Sequence, residues 1–522
     1  MAEFANNSDY FDPLVDALFT DLYQLTMLAA YYRSGLHRRP VAFEYIYREP
    51  PFGGRFAIFA GLNAVIDYLE RLHFTADQIE YLRALGIFDA EFLDHLTTFK
   101  FTGSVEALRE GEVLLPQVYG VRITAAVEEA QLVETALLTL LNFPTLIATK
   151  AARVKFNAEQ KPVLEFGMRR AQGVNGALTA ARAAFIGGVD ATSNVAAGYH
   201  FGIPVRGTHA HSYVMFYPDE IDAFRAYADI FPRSALFLVD TYDVFVGLKN
   251  AIQVAHEMAA KGEQSSGVRI DSGDLVYWSI VSHVMLDAAK LSHAGVVLSN
   301  ELDEHRIALI HNEIRRSCRD EGYLREVSYQ VGFSVTRIDP EAVIGRLTFG
   351  VGTQLVTGGD QASLGGVYKL VAVEDGPDNW QPRVKLSAQP EKSTLPGFKK
   401  VVRLLRRGLI VADVIALPDE VITPGEPVIG INPGNSSQRT IYEDFDAIES
   451  LHVPIFVDGV RVYESPSLVS IKAYANQRQS MIRLESRRLQ SPHSLKVSMT
   501  EAYWQYREAV NRAMKPNSDA TL

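Results

Sequence analysis

The chain has 522 residues, 47% apolar and 22% charged, a balance that argues against extensive disorder and a length that predicts two or more folding units. With 62 Asp and Glu against 51 Lys and Arg, the formal charge of −11 disfavours nonspecific nucleic-acid binding through a global positive field, so any phosphate site has to be local. Cys318 stands alone, which leaves no intrachain disulfide framework. Neither a signal peptide in Met1–Asp9 nor an apolar run of about eighteen residues is found, and a cytoplasmic protein with no membrane partner is expected.

In chain order, Thr20–Gly35 opens on an N-cap residue type, carries apolar residues at helical spacing and stops at glycine, which predicts a helix with Tyr23 in its first turn. Val41–Tyr47 alternates as a strand, Pro50–Phe56 turns, and Gly61–Leu72 reads as an amphipathic helix. Short β-like pieces follow, among them Ser104–Leu108 and Gly120–Thr124. Leu132–Phe156 then has a helical pattern in which Pro144 is expected to end one helix and start the next. The last part, from about Pro466 to Met514, reads as charged helices with a solvated face.

The middle third repeats one theme: an apolar strand-like run, a polar cluster, then a helical pattern. The clusters are Phe166–Arg170, Thr208–His211, Asp240–Asp243, Asp271–Asp274, Ser299–Asp303 and Gly350–Thr353. Repeated βα units predict a parallel sheet, and polar clusters at successive strand ends favour a closed or nearly closed α/β barrel with its site on that face. A doubly wound open sheet is the alternative. The Leu236–Val239 run is expected beside the one leading to Thr208, so that Asp240 orients the imidazole of His211. His209, two residues away, is a second imidazole, but no further zinc-spaced ligand lies nearby in the sequence.

Arginines, carboxylates, hydroxyls and glycines gathered at one rim suit a phosphorylated sugar: guanidinium forks match phosphate, Gly-rich turns admit backbone N–H groups, and carboxylates hold Mg²⁺ or ribose hydroxyls. No Walker-type or dinucleotide-binding glycine motif occurs.

The segments Thr20–Asp–Leu–Tyr–Gln, Pro51–Phe–Gly–Gly, Phe166–Gly–Met–Arg–Arg–Ala–Gln–Gly, Thr192–Ser–Asn, Gly207–Thr–x–Ala–His–Ser, Asp240–Thr–Tyr–Asp, Val268–Arg–Ile–Asp–Ser–Gly–Asp–Leu, Ser299–Asn–x–Leu–Asp–Glu, Gly352–Thr and Leu364–Gly–Gly–Val–Tyr–Lys–Leu occur in this order. Together they resemble the nicotinate phosphoribosyltransferase family. The resemblance implies an irregular parallel α/β barrel (136–375) and a second α/β sandwich domain built from both chain ends (1–135 and 376–522). It also implies a homodimer with shared active sites, and the substrates nicotinate, phosphoribosyl pyrophosphate and ATP, with Mg²⁺. By position, His211 matches the family's phosphorylated histidine and Asp240 its supporting acid. Tyr23, donated by the partner subunit, and Phe166 would flank the pyridine ring, while Thr208 and Arg269 would meet nicotinate. Arg169, Asp271, Ser299, Asn300, Gly352 and Thr353 match positions around the phosphoribosyl group.

The implied reaction displaces pyrophosphate from C1 of the sugar by the pyridine nitrogen. Two rivals share the scaffold: a nicotinamide transferase, and a catalytically silent nucleotide-binding regulator. Thr208 and Arg269 favour the anionic substrate over the amide.

Overall fold

The computed structural model describes residues 15–385 and 394–514; the acidic N-terminal stretch and the start of Glu391–Lys400 lie outside them. Two compact units emerge, one taking Lys150–Asp360 and the other the described residues before Lys150 and from Gln361 onward. These limits fall inside the expected 136–375, for a structural reason. Gly366–Glu374 pairs antiparallel with Pro40–Tyr47 and so is a strand of the second unit, and one unbroken helix, Glu134–Asn157, runs through the first boundary.

The first unit is a six-stranded parallel sheet in the order Ala191–Thr192, Val163–Glu165, Leu347–Val351, Gly295–Leu298, Gly267–Ile270, Leu236–Leu238. Its strands are two to five residues long and mostly buried, as parallel strands covered by helices require. Each polar cluster read from the sequence follows the C-terminal end of one of these strands, except the cluster at Thr208–His211. There the expected strand reduces to one bridge, Val205 to Thr192. Leu236–Leu238 pairs with Gly267–Ile270 and, among the described residues, does not ladder with the Val205 segment. A side chain closes the seam instead: the Leu238 N–H donates to His209 Nε2 at 3.4 Å.

The second unit holds a seven-stranded and a six-stranded sheet, each mixing strands from both ends of the chain or closing on the C-terminal part. Arg403 is fully buried here. It grips Asp413 with two nitrogens at 2.7 and 2.8 Å and Glu112 with the third at 2.6 Å, and Arg478 joins Glu112 at 2.9 Å. Pairing two guanidinium groups with two carboxylates is what makes this burial tolerable.

Two expectations need correction. Pro144 sits inside Glu134–Asn157 without ending it. Its missing N–H frees the Leu140 carbonyl, which is covered by Gly61, where any Cβ would lie 2.0 Å from that oxygen. Thr145 clamps the same place, exchanging hydrogen bonds with the N–H and carbonyl of Ala60. The C-terminal part is also not helical throughout: between the helices Leu468–Ser480 and Glu501–Met514 lies the strand Lys496–Met499, parallel to Leu409–Ala416. The Glu134–Asn157 helix is long and apolar enough to cross a membrane, but 67% of its apolar window is buried within the fold.

Arg403→Leu is expected to strand Asp413 and Glu112 without their cation and to cost about 3–5 kcal/mol, read as a lower urea midpoint at unchanged slope. A loss under about 1 kcal/mol would show the network to be dispensable.

Candidate active site

Arg269 is the centre of the arrangement. It lies on the Gly267–Ile270 strand with its side chain 14% exposed, and each guanidinium nitrogen has a separate partner. Nε donates to Ser299 Oγ at 3.0 Å, Nη1 to Thr208 Oγ1 at 3.2 Å, and Nη2 lies 3.2 Å from Asp271 Oδ2. The Phe166 ring centroid is 5.8 Å from the guanidinium carbon. A guanidinium has five N–H donors, so the three protein partners leave donors for an anion. Three strand ends and the Thr208 loop thus converge on one cation beside one aromatic face.

Phe166 is fixed by its backbone and by glycines. Its N–H donates to Val351 O at 2.8 Å, and a Cβ on Gly350 would lie 2.6 Å from its ring. Gly352 faces the Phe166 carbonyl, and Thr353 begins the short helix that follows. Arg169 is exposed in the turn Met168–Arg170, with Nη1 3.4 Å from Phe166 O. Asn300 follows Ser299 at φ 104°, a conformation that an L residue holds only when its surroundings impose it. These residues occupy the C-terminal ends of consecutive strands of one sheet.

His211 opens the helix His211–Phe216, its side chain 40% exposed. Nδ1 is 3.1 Å from Thr241 Oγ1, and Nε2 lies 3.9 Å from Asp271 Oδ2. The expectation that Asp240 orients this ring is therefore not met by direct contact. Asp240 Oδ2 accepts from the Asp271 N–H at 3.0 Å and from Ser272 Oγ at 2.5 Å, so it braces the loop carrying Asp271, and Thr241 holds the imidazole. Asp240 Oδ1 is buried with no hydrogen-bond partner.

His209 has a different environment. It is 8% exposed, packed against Tyr213, Phe224 and Tyr227, and burial lowers its pKa to about 4. It stays neutral and accepts from Leu238. Of the acids read at the strand ends, Asp274 and Asp303 turn out to be helix caps, accepting from Val276, Tyr277 and Arg306 N–H groups. Tyr23 is in the second unit, half exposed on the first turn of Leu22–Arg33.

Sequence reasoning missed Thr241 and Glu165. Glu165 is 1% exposed, accepts from the Gly167 N–H and from Thr192 Oγ1, and has its pKa raised by burial. It ties the Phe166 turn to the Thr192–Ser–Asn segment. The one available signal was a carboxylate alone in an apolar strand.

A parallel α/β sheet whose strand ends assemble a cation, an aromatic face and a partly exposed imidazole has the architecture of an α/β-barrel enzyme with its polar groups at the strand-end mouth. Comparison with known proteins gives the family. Three models match: the nicotinate phosphoribosyltransferase N-terminal domain over residues 18–142, the nicotinate phosphoribosyltransferase family over 162–407, and its C-terminal domain over 398–507. The nicotinate phosphoribosyltransferase of Bacillus subtilis is 39% identical over 493 residues, 94% of each chain. The crystal structure of human nicotinic acid phosphoribosyltransferase superposes with a TM-score of 0.76 at 31% identity, covering 94% of this chain and 100% of that one. A nicotinate-nucleotide pyrophosphorylase from Pyrococcus furiosus shares the fold at TM-score 0.64 and 21% identity, over 89% of this chain and 95% of that one. The chain belongs to the nicotinate phosphoribosyltransferase family.

Because His209 is depressed to about 4 when folded and titrates near 6.5 when unfolded, the unfolded chain takes up its proton first as pH falls. Its contribution is intact above about pH 6.5 and drains away toward pH 4, on the order of 3 kcal/mol in total. His209→Gln, which keeps an acceptor for Leu238, is expected to flatten the pH dependence of urea midpoints in that window. An unchanged slope would contradict the assignment.

Proposed function

We propose that the enzyme transfers the phosphoribosyl group of phosphoribosyl pyrophosphate to nicotinate, giving nicotinate mononucleotide and pyrophosphate for pyridine-nucleotide salvage and NAD biosynthesis. The observation that carries this reading is the Arg269 guanidinium, mostly buried, beside Phe166 and flanked by Thr208 and Ser299. A flat aromatic carboxylate meets both needs of that place, ring against ring and anion against fork. The pyridine nitrogen attacks C1 of the sugar as the bond to pyrophosphate breaks. Pyrophosphate leaves with the electron pair, and holding the ring in line is the main catalytic contribution of the aromatic wall. Arg169, Asp271, Ser299, Asn300, Gly352 and Thr353 are assigned to the phosphoribosyl group, and Tyr23 of a partner subunit in a homodimer to the second face of the pyridine.

ATP consumption enters through His211. With Nδ1 engaged by Thr241, Nε2 is the nitrogen left to form the N–P bond as the γ-phosphoryl group departs from ADP. Asp271, 3.9 Å from Nε2, stabilises positive charge on the ring, and its own backbone is braced by Asp240. The oxygen donors of Asp240 and Asp271, with Asp240 Oδ1 buried and unsatisfied, fit a hard cation such as Mg²⁺ held directly or through water. When bound, the ion neutralises charge on the departing pyrophosphate.

Incubation with labelled ATP is expected to give acid-labile phosphate on the wild-type protein and none on His211→Ala, which keeps substrate binding but loses ATP stimulation. Transfer of that phenotype to His209→Ala would overturn the assignment. Arg269→Lys cannot reproduce the fork, and is expected to lower kcat/KM for nicotinate by about 100-fold or more, the loss of roughly 3 kcal/mol of charge-assisted bonding. Equal turnover of nicotinamide by the wild-type enzyme would refute nicotinate selectivity.

A further inference from the structure

We propose that His37, His95 and Glu128, in the second unit and apart from the strand-end site, form a divalent-metal site suited to Zn²⁺. One ligand atom from each lies within 4.8 Å of the others. Two imidazoles and a carboxylate are a zinc donor set that leaves a fourth position for water. The three come from separate segments: His37 from the turn after Leu22–Arg33, His95 from the last turn of Ala90–Leu96, Glu128 from the first turn of Val127–Leu132.

The backbone already holds these segments together, since the Glu128 N–H donates to His37 O at 3.3 Å. The rings are positioned as well: Tyr32 stacks on His95 at 4.7 Å and 25°, and His37 meets His95 edge-on at 4.9 Å. Glu128 is 1% exposed, and His37 Nδ1 is a buried nitrogen with no hydrogen-bond partner. A buried carboxylate beside two imidazoles, one of which carries an unsatisfied nitrogen, is an arrangement that a metal ion completes.

The same groups also contact one another and a neighbouring cation. His95 Nε2 is 2.7 Å from Glu128 Oε2, and Arg38 Nε is 3.3 Å from Glu128 Oε1. Zinc bonds of about 2.0–2.1 Å at tetrahedral angles place ligand atoms about 3.3 Å apart, so His95 gives way slightly and His37 closes in. The Arg38 side chain is 57% exposed and also lies 3.7 Å from Glu129 Oε1, so it can shift toward that carboxylate and solvent when a divalent cation takes over its charge on Glu128. Arg38 is therefore a competitor for the site.

The test uses the full chain, stripped with chelator and titrated with Co²⁺ for its visible spectrum and with Zn²⁺ by calorimetry and thermal shift. The expected result is one equivalent bound with tetrahedral-type Co²⁺ bands and a raised melting temperature. His37→Gln and His95→Gln should each weaken Zn²⁺ binding at least about tenfold, since even outer-shell partners of metal ligands are worth that much. Arg38→Gln removes the competing cation, which also lies 3.7 Å from Glu129, and should tighten binding. Absence of stoichiometric binding at micromolar Zn²⁺, binding indifferent to both histidine variants, or weakened binding in Arg38→Gln would each overturn the proposal.

Discussion

The site depends on holding one mostly dehydrated guanidinium in place. Arg269 pairs in the ladder with Leu238 on one side and Val297 on the other, so its backbone is fixed by two neighbouring strands. Asp271, two residues further, projects to the same face, and Ser299 follows the next strand. A cation removed from water needs oxygen partners, and the parallel register supplies them from chain segments far apart in sequence. The same arrangement that satisfies Arg269 sets the distances between the groups facing the mouth. Phe166, held by Gly350 and by the Val351 carbonyl, adds the apolar wall.

Two histidines, two residues apart, illustrate how the fold divides labour. His209 turns into an aromatic nest and stitches the barrel seam through Leu238; His211 starts a helix at the rim with one nitrogen committed to Thr241 and the other facing an acid. Burial keeps the first neutral. Exposure leaves the second accessible at the rim.

Much of this was legible in the sequence because parallel strands are short apolar runs whose ends turn abruptly polar, and that contrast survives without any alignment. The strands carrying Phe166, Asp240, Arg269, Ser299 and Gly352 were found this way. Roles were harder to read. Asp274 and Asp303 occupy the same kind of strand-to-helix turn as Asp271, yet they cap helices, and sequence does not distinguish an acid aimed at a backbone N–H from one aimed at side chains across the strand ends. Thr241 went unnoticed between two more conspicuous acids. Pro144 obeyed its local rule less than its tertiary context, where Gly61 packs closely over the Leu140 carbonyl and Thr145 ties the neighbouring helix turn to Ala60. Long-range strand pairing, such as Lys496–Met499 beside Leu409–Ala416, leaves no local mark.

The order of strands in the seven-stranded sheet has a consequence for biosynthesis. Pro40–Tyr47 must wait for Gly366–Glu374, and Ser104–Leu108 for His452–Val457. On a ribosome the parallel-sheet unit is complete while those early strands still expose bare edges, which are templates for wrong pairing with other nascent chains. A chaperone that shields the first 150 residues until the C-terminus emerges would therefore govern yield, and premature termination would harm the discontinuous unit before it harmed the catalytic one.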